Sequence, residues 1–344
     1  MSECPQPLST TELRSFRRTL LRWYDTNRRD LPWRRNRSPY RVWVSEIMLQ
    51  QTRVAAVLDH YARFLRRFPT VSSLATARES SVLAVWSGLG YYHRARRMHQ
   101  AAKLIARERH GKFPRTAQEW SALPGIGRYT AAAIASISFG ESVAAVDGNV
   151  ERVLQRLFGQ PRSQETAPAR QQADNLLDRE RPGDFNQAMM ELGATICTSR
   201  APQCGLCPLN PFCKTRGVEG PRPQVARKRK AISYALARSN FSVLLVRRPA
   251  DASLMAGMWE LPALPPGLAN VGFPLLRLRH SITDTDYRVA VFAILPDQLR
   301  DFAANARWFT QQQCERLALT GLTRKVLGRL PLESQDSTVE SKCH

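Results

Sequence analysis

The stretch LPGIGRYT, residues 123–130, decides the fold of the N-terminal part of this chain. Its two glycines, Gly125 and Gly127, allow a tight turn and a close approach of the backbone to a ligand. Apolar periodicity predicts one helix over 116–122 and a second over 130–139. The first amides of the second helix would face the turn, where they can bind an anion. We therefore predict two helices joined by a glycine hairpin that suits a DNA phosphate.

Helical patterns extend outward from this hairpin through most of residues 1–213. Ser9 and Glu12 form a capping box before an apolar stripe that includes Phe16 and Leu20. A second stripe covers 54–65, and we predict that Thr52 caps its helix. Further stripes cover 82–89 and 98–105, and all of them are expected to form core.

The charge of the chain favours a polyanionic partner. It has 344 residues, enough for two domains, with 51 basic and 29 acidic side chains and a net charge of +22. Basic side chains release counterions from phosphates, which favours nucleic acid binding. A membrane is the rival partner, but no apolar run is long enough to span one. The N-terminus lacks a signal-peptide pattern, so we expect a cytoplasmic and bacterial protein.

Four of the seven cysteines are spaced C-x6-C-x2-C-x5-C, at Cys197, Cys204, Cys207 and Cys213. In a reducing compartment such clusters bind metal more often than they form disulfides. Four thiolates within so short a segment can surround one metal centre, and the spacing leaves zinc and iron–sulfur both open. The remaining cysteines, Cys4, Cys314 and Cys343, are expected to be free thiols.

Two carboxylates have contrasting sequence surroundings. Glu46 would share a helix face with Val42, Trp43 and Leu49, where burial should raise its pKa and make it a general acid. Asp147 precedes a helix, whose N-terminus stabilises negative charge. One neutral and one ionised carboxylate are the pair that glycoside hydrolysis uses. The alternatives are a helix cap for Asp147 and a salt bridge for Glu46.

The composition changes after Cys213. Residues 214–231 contain prolines, glycines and the run RKRK, which predicts a basic linker. From residue 232 onward the apolar period changes to two, at 232–236 and 241–245, and residues 288–295 are rich in β-forming side chains. Helical patterns return at 310–330. The second domain is therefore predicted to be α+β.

These motifs together resemble the helix-hairpin-helix DNA glycosylase superfamily, and within it the adenine DNA glycosylase (MutY) family. The hairpin is LPGIGRYTA, the aspartate lies in VDGNVERVL, and WSGLGYYHRARRMH and FNQAMMELGATICTSRAPQCGLCPL add further matches across residues 12–213. The resemblance implies that the four cysteines bind a [4Fe–4S] cluster. It also implies a helical glycosylase domain over 1–213, with a six-helix barrel at 31–140 and an iron–sulfur subdomain formed by 1–30 and 141–213.

The resemblance also implies roles for the site residues. Glu46 would protonate the leaving adenine, and Asp147 would stabilise the sugar cation. Tyr129 and Asn149 would support this pair by hydrogen bonding, and Glu191 would be a further active-site acid.

DNA contacts are implied for a second group of residues. Gln51 and Tyr91 would wedge into the duplex while adenine is flipped out, since the base cannot react inside the stack. Gly125 and Gly127 would contact the DNA backbone. Arg34 would lie in the active-site region, whereas Trp33 is expected to pack in the core.

Tyr129 distinguishes two branches of the superfamily. Members of the endonuclease III type place lysine there, whose amine attacks the sugar and then nicks the strand. With tyrosine at this position, we expect base excision with weak or no AP lyase activity.

The second domain, 232–330, resembles the Nudix-like (MutT-like) domain that reads 8-oxoguanine in this family. The catalytic Nudix box is absent, which disfavours nucleotide hydrolysis. Thr283 would read the lesion, although the loop has Ile282-Thr283-Asp284 where the family usually has FSH. Residues 331–344 are expected to form a disordered tail.

The resemblance as a whole implies a monomeric, monofunctional glycosylase that removes adenine from pairs with 8-oxoguanine or guanine in double-stranded DNA. Two alternatives remain: an endonuclease III-like enzyme for oxidised pyrimidines, and a non-catalytic iron–sulfur protein that only binds DNA.

Overall fold

The computed structural model describes residues 8–160, 167–216, 227–239, 241–252, 254–265, 272–282, 284–299 and 305–331. The helices are α1 (Thr10–Asn27), α2 (Pro32–Arg35), α3 (Pro39–Leu49), α4 (Val54–Arg67), α5 (Val71–Ala75), α6 (Glu79–Trp86), α7 (His93–Glu108), α8 (Ala117–Ser121), α9 (Arg128–Phe139), α10 (Gly148–Phe158), α11 (Ala167–Leu176), α12 (Pro182–Thr195), α13 (Gln311–Arg316) and α14 (Gly321–Leu327). The strands are β1 (Lys228–Leu236), β2 (Arg238–Ser239), β3 (Ser242–Arg247), β4 (Trp259–Glu260), β5 (Leu276–Ile282), β6 (Thr285–Ala293) and β7 (Ala306–Thr310).

The chain divides into two compact units. A helical unit comprises residues 1–75 and 100–222, and a mixed unit comprises 76–99 and 223–344. The mixed unit therefore includes α6, which the predicted domain boundary at 213 assigns to the helical domain. None of the described helices is both long and apolar enough to cross a membrane.

The helical unit is built around amphipathic helices whose apolar faces meet. The Ser9–Glu12 capping box is confirmed, because each residue bonds the backbone of the other at the start of α1. Phe16 and Leu20 are buried with residues of α10 and α12 in one core. The prediction that Thr52 caps α4 is wrong, since Arg53 occupies the N-cap and the Thr52 hydroxyl donates to the Gln50 carbonyl instead.

The predicted hairpin is formed by α8 and α9. Gly125 has a φ of +78°, in the left-handed region that favours glycine. Gly127 has an extended conformation as N-cap of α9, and a side chain there would meet nothing within 4 Å. Glycine at 127 therefore leaves an open approach to the helix N-terminus. The helix begins two residues earlier than predicted, at Arg128, and it packs against α3 and α12.

The mixed unit contains two sheets among its described residues. In the first, β1 pairs parallel with β6 and β6 pairs antiparallel with β5. In the second, β3 pairs antiparallel with β2, β4 and β7. One apolar cluster includes Leu245, Val289 and Val291, and a second cluster includes Leu244 and Phe292. Both faces of the β6 end that carries Phe292 are therefore covered.

Two predictions for this unit need correction. The basic linker does not extend to 231, because β1 begins at Lys228, where parallel pairing with β6 overrides the polar composition. Residues 217–226 lie outside the described residues, as do 332–344. Phe241 does not alternate with Val243 in a strand, since it has a φ of +59° in the turn before β3 and is exposed.

The segment 76–99 is held within the mixed unit by a buried polar cluster. The Ser87 and Tyr92 hydroxyls donate to the Leu319 carbonyl oxygen over 2.8 and 3.1 Å. Arg324 Nε donates to Ser87 Oγ over 3.0 Å. The turn between α6 and α7 is thus attached to the backbone that precedes α14.

Candidate active site

A cavity of about 690 Å³ opens in the helical unit. Its size is within the usual range for small-molecule sites, about 300–1,000 Å³. Of the residues predicted for the site, it brings together Arg34, Glu46, Gln51, Tyr129, Asp147, Asn149 and Glu191. Trp33 is buried, as predicted, and lines the cavity as well.

Glu46 is placed by α3, whose neighbouring residues are almost all buried. Burial raises the pKa of the Glu46 carboxyl to about 7, against a hydrogen bond from Tyr129 that favours the ionised form. The negative charge of Asp147 adds to the rise, and Arg34 opposes it. Glu46 is therefore partly protonated at neutral pH, as a general acid requires.

Tyr129 lies at the start of α9, directly after the glycine hairpin. Its hydroxyl donates to Glu46 Oε2 over 2.8 Å and also lies 3.1 Å from the Met190 sulfur. Burial raises the pKa of Tyr129 well above 10, and the charges of Glu46 and Asp147 raise it further. The phenol therefore stays protonated and acts as a hydrogen-bond donor.

Asp147 is the N-cap of α10. Its Oδ1 accepts from the backbone N–H groups of Asn149 and Val150 over 2.9 and 2.8 Å. Its Oδ2 accepts from Asn149 Nδ2 over 2.8 Å. Asp147 is therefore a helix cap, as the alternative interpretation of the sequence predicted. This capping role does not exclude a catalytic role for the same carboxylate. The same three donors and the helix N-terminus fix a carboxylate whose side chain lines the cavity.

Glu191 is paired with two arginines on the cavity wall. Arg29 Nε and Arg34 Nη2 approach its carboxylate oxygens at 2.7 and 2.8 Å. Burial favours the neutral form, but the hydrogen bonds from these arginines outweigh it and lower the pKa of Glu191 to about 2. Glu191 is therefore permanently ionised at neutral pH and cannot donate a proton. It holds the two guanidinium groups at the cavity.

Two of the predicted DNA-contacting residues have left-handed backbones. Gln51 has a φ of 56° and is exposed, and Tyr91 has a φ of 49° and is half-buried. Such angles are uncommon outside glycine and concentrate at functional sites. Tyr91 belongs to the mixed unit, where the Arg94 guanidinium lies 5.3 Å from its ring centre. Thr283 lies outside the described residues.

The four cysteines of the predicted cluster line one small cavity of about 20 Å³. Burial raises the pKa of the Cys207 thiol to about 11, and the other three cysteines also raise it. Arg156 Nη1 donates to the Cys197 sulfur over 3.2 Å. Among the described residues, no three Cys, His, Asp or Glu side chains have the arrangement of a single-ion site. The donor set of four thiols beside a cation fits an anionic iron–sulfur cluster. Cys314 is a free, buried thiol, whereas Cys4 and Cys343 are outside the described residues.

A side chain that the sequence did not single out connects this loop with the cavity. Arg152, on α10, donates to the Cys197 carbonyl over 3.0 Å and to Asn149 Oδ1 over 3.0 Å. It also donates to the Gly193 carbonyl over 2.7 Å. A methyl group at Gly193 would lie 2.8 Å from Asn149 Cβ, so only glycine allows this approach. Arg152 therefore links the cysteine loop to Asn149, the residue that orients Asp147.

Arg29 and Met190 were also missed from the sequence. Arg29 lies far from its partner Glu191 in the chain, and nothing local distinguishes it from the other arginines. Met190 belongs to the quoted segment FNQAMMELG and follows the helical spacing of α12, but apolar residues at such spacing usually form core.

Comparisons with known proteins identify related families and folds. Residues 44–179 match the model of the HhH-GPD superfamily of base excision DNA repair proteins. The chain resembles the structure of a thermostable thymine-DNA glycosylase, with a TM-score of 0.55 and 28% identity, over 60% of this chain and 97% of that one. An endonuclease III trapped covalently on DNA shares the fold at a TM-score of 0.54 and 23% identity, over 61% and 98%. Fold and site therefore define a helix-hairpin-helix DNA glycosylase.

Curated relatives specify the family. An adenine DNA glycosylase of Homo sapiens is 34% identical over 96% of this chain and 78% of its own length. That of Rattus norvegicus is 48% identical over 74% and 61%, and that of Mycobacterium tuberculosis is 41% identical over 67% and 77%. The chain belongs to the adenine DNA glycosylase family.

Proposed function

We propose that this protein is a monofunctional DNA glycosylase that hydrolyses the N-glycosidic bond of adenine paired with 8-oxoguanine or guanine. One observation carries the proposal: Glu46, with a pKa of about 7, shares a cavity with a carboxylate fixed at a helix N-terminus. Double-stranded DNA is the substrate, and the protein acts on it as a monomer.

Glu46 begins the reaction as a general acid. Its carboxyl proton passes to a ring nitrogen of the flipped adenine, while Tyr129 holds the other carboxyl oxygen by its hydrogen bond. The bond between the sugar C1′ and the base then breaks, and its electron pair leaves with the adenine. Proton transfer of this kind contributes about 10²- to 10⁴-fold to the rate.

Asp147 stabilises the positive charge that develops on the sugar. Asn149 and the α10 backbone hold its carboxylate in place. Water then adds to C1′ and gives one proton back to the Glu46 carboxylate. The products are free adenine and an abasic sugar, which balances the hydrolysis and restores the protonated acid.

The proposal that the enzyme removes the base without cleaving the strand rests on Tyr129. A strand-cleaving lyase needs an amine that forms a Schiff base with the opened sugar. None of the described residues that line the cavity is a lysine, and the protonated phenol of Tyr129 donates to Glu46. We therefore expect an intact strand after adenine release until alkali is added.

Other parts of the molecule support this role. Gln51 and Tyr91 would separate the bases around the target, and the α9 N-terminus with Gly125, Gly127 would bind a phosphate. The mixed unit would act as a Nudix-like reader of the opposite base through Thr283. The four cysteines would hold a [4Fe–4S] cluster, which would anchor the loop 197–213. Visible absorption and iron analysis of the purified protein would detect the cluster.

Single-turnover cleavage of a duplex with one 8-oxoguanine:adenine pair tests the proposal. Adenine release should require alkali to reveal a nick, and Glu46→Gln and Asp147→Asn should each lose at least about 10²-fold in rate. Asp59→Asn, an exposed carboxylate on α4 outside the cavity, is the matched control and should retain full activity.

Three results would contradict the proposal. A protein that binds the duplex but releases no base would be a binding module. Strand cleavage that borohydride traps as a covalent adduct would mean a lyase. Equal activity in Glu46→Gln and Asp59→Asn would show that Glu46 is not the general acid.

A further inference from the structure

The outer face of the first sheet is a grid of three rows across β1, β6 and β5. The strand registers place Arg229 beside Asp286 and Ser281 in the first row. The second row is Ala231, Arg288 and Arg279, and the third is Ser233, Ala290 and Arg277. Alternate residues of a strand share a face, so all nine belong to one surface. The opposite face, with Leu278 and Val289, packs into the core.

Three arginines of this grid, which we call the arginine face, are Arg277, Arg279 and Arg288. All three are exposed. Arg279 and Arg288 are direct cross-strand partners, an arrangement in which like charges destabilise a sheet. An anion held between the two guanidinium groups would offset this repulsion.

The described residues provide no such anion for these three side chains. Among the described residues, no carboxylate oxygen lies within 4 Å of a guanidinium nitrogen of these three arginines. Asp286, the acidic member of the grid, is occupied by Arg227 at 2.9 Å and by the Ser281 hydroxyl at 2.6 Å. The hydrogen bonds from Ser281 and Arg227 lower the pKa of Asp286 below its usual value, so it stays ionised and paired.

The arginine face is also concave. Small side chains at Ala231, Ser233 and Ala290 form the floor of a depression of about 720 Å³, and the three arginines line it. At the other end of the same face, Phe292 is covered by Leu264 and Leu299 in the second apolar cluster. Ala290 in the third row packs against this cluster, whereas no described residue of the first two rows belongs to it.

We infer that the arginine face binds the phosphate backbone of duplex DNA as a contact surface of its own, independent of base identity. A guanidinium presents a planar fork of donors that matches phosphate oxygens, and arginine is the usual residue for such contacts. The chain carries a net charge of +22, which suits a polyanion better than a protein surface with a few acidic residues. The inference rests on the proposed function only in taking duplex DNA as the partner.

Salt-dependent binding of an undamaged, fluorescein-labelled duplex to the full-length protein tests this inference. The variant R277Q/R279Q/R288Q should weaken binding about tenfold or more, and reduce the slope of log K against log [NaCl] by about 2–3. The matched control is R307Q/R316Q/R329Q, which removes the same charge from exposed positions elsewhere in the mixed unit. The control should change the slope by less than about 1.

Two outcomes would overturn the inference. Equal losses in the two triple variants would mean that only net charge matters. If the R277Q/R279Q/R288Q variant kept the affinity of the parent for the duplex, the arginine face would not bind DNA, and another anion such as an acidic protein would be its partner. Thermal unfolding should show that both variants keep the Tm of the parent, because all six side chains are exposed.

Adenine excision distinguishes this inference from the proposed function. At saturating enzyme, the single-turnover rate on the 8-oxoguanine:adenine duplex should be the same in the R277Q/R279Q/R288Q variant and the parent, since these side chains do not line the cavity. A parent that releases no adenine would refute the proposed function alone. A slope that still depended on the three arginines would then support the arginine face alone.

Discussion

Two glutamates in one cavity have opposite charge states because their neighbours differ. Glu46 is surrounded by buried residues of α3 and has a pKa of about 7, whereas Glu191 is clamped by Arg29 and Arg34 and has a pKa of about 2. One can give up a proton at neutral pH, and the other supplies a constant negative charge. The division of roles therefore depends on hydrogen-bond donors and burial, not on residue type.

The pH dependence of excision follows from the state of Glu46. The protonated acid is the active form, so the single-turnover rate should fall as pH rises above about 7. Tyr129→Phe removes a hydrogen bond that favours the ionised carboxylate, which should move this decline to higher pH. Rates measured across a pH series check the shift. Tyr61→Phe, outside the cavity, is the control and should leave the profile in place; an identical shift there would refute the assignment.

Glu46 should also cost stability at alkaline pH. Its pKa is about 7 in the folded state and near 4.5 when unfolded. The folded state binds more protons between these values, so stability falls as pH rises through this window, by on the order of 3 kcal/mol. Glu46→Gln should therefore raise Tm relative to the parent at pH 8 but not at pH 4, as thermal unfolding would show. The same Tm difference at both pH values would contradict this account.

The raised pKa of Glu46 could be predicted from the sequence, because its helix neighbours at i−4, i−3 and i+3 are apolar. The ionised state of Glu191 could not. Its partners are separated from it by 162 and 157 residues, and only the folded chain brings them together.

Among the helices, α10 has two functions in its first turns. Asp147 caps the helix and faces the cavity, and Arg152, one turn later, contacts the cysteine loop at the Cys197 carbonyl. Arg152 also donates to Asn149 Oδ1, so a change in the position of the cysteine loop should also move Asn149.

Arg152→Gln should slow excision about 10- to 100-fold, as is typical when a residue supporting such a site is lost. Arg152→Lys should rescue little, because an ammonium cannot reproduce three bonds from one planar fork. Single-turnover rates check both variants, and Arg179→Gln, an exposed arginine of the same unit, is the control. Full activity in Arg152→Gln would show that the connection is only structural.

Local signals predicted elements well where they act within one turn of helix. The Ser9–Glu12 box and the glycine hairpin depend on neighbours in sequence, and both are present. The start of β1 at Lys228 was missed because it depends on pairing with β6, about sixty residues away. Arg152 was missed since an arginine on an amphipathic helix is usually solvated.

At the scale of the whole molecule, the boundary between the units does not follow the boundary in sequence composition. The composition changes after Cys213, yet residues 76–99 belong with the C-terminal part of the chain. Helical periodicity gives the type of an element but not the partner it packs against, so this assignment could not come from sequence patterns.

A chain that ends at residue 226 should therefore lose more than a C-terminal domain. Ser87 and Tyr92 would lose their acceptor at Leu319, and α6 would lose its contact with α13. We expect limited proteolysis to cut the truncated chain within 87–92 much faster than the full chain. Cleavage in the loop 109–116, within the helical unit, should be the same in both. Equal resistance at 87–92 would refute this organisation.

The acceptor in that cluster is a main-chain carbonyl, and this affects how the family can diverge. A side-chain replacement at 319 leaves the oxygen in place, so this position is free to drift among apolar residues. The buried hydroxyls at 87 and 92 have no such freedom, because an apolar replacement at either position removes one of the two side-chain donors to this carbonyl. Inherited variation should therefore be restricted at 87 and 92, while position 319 carries no record of the constraint it imposes.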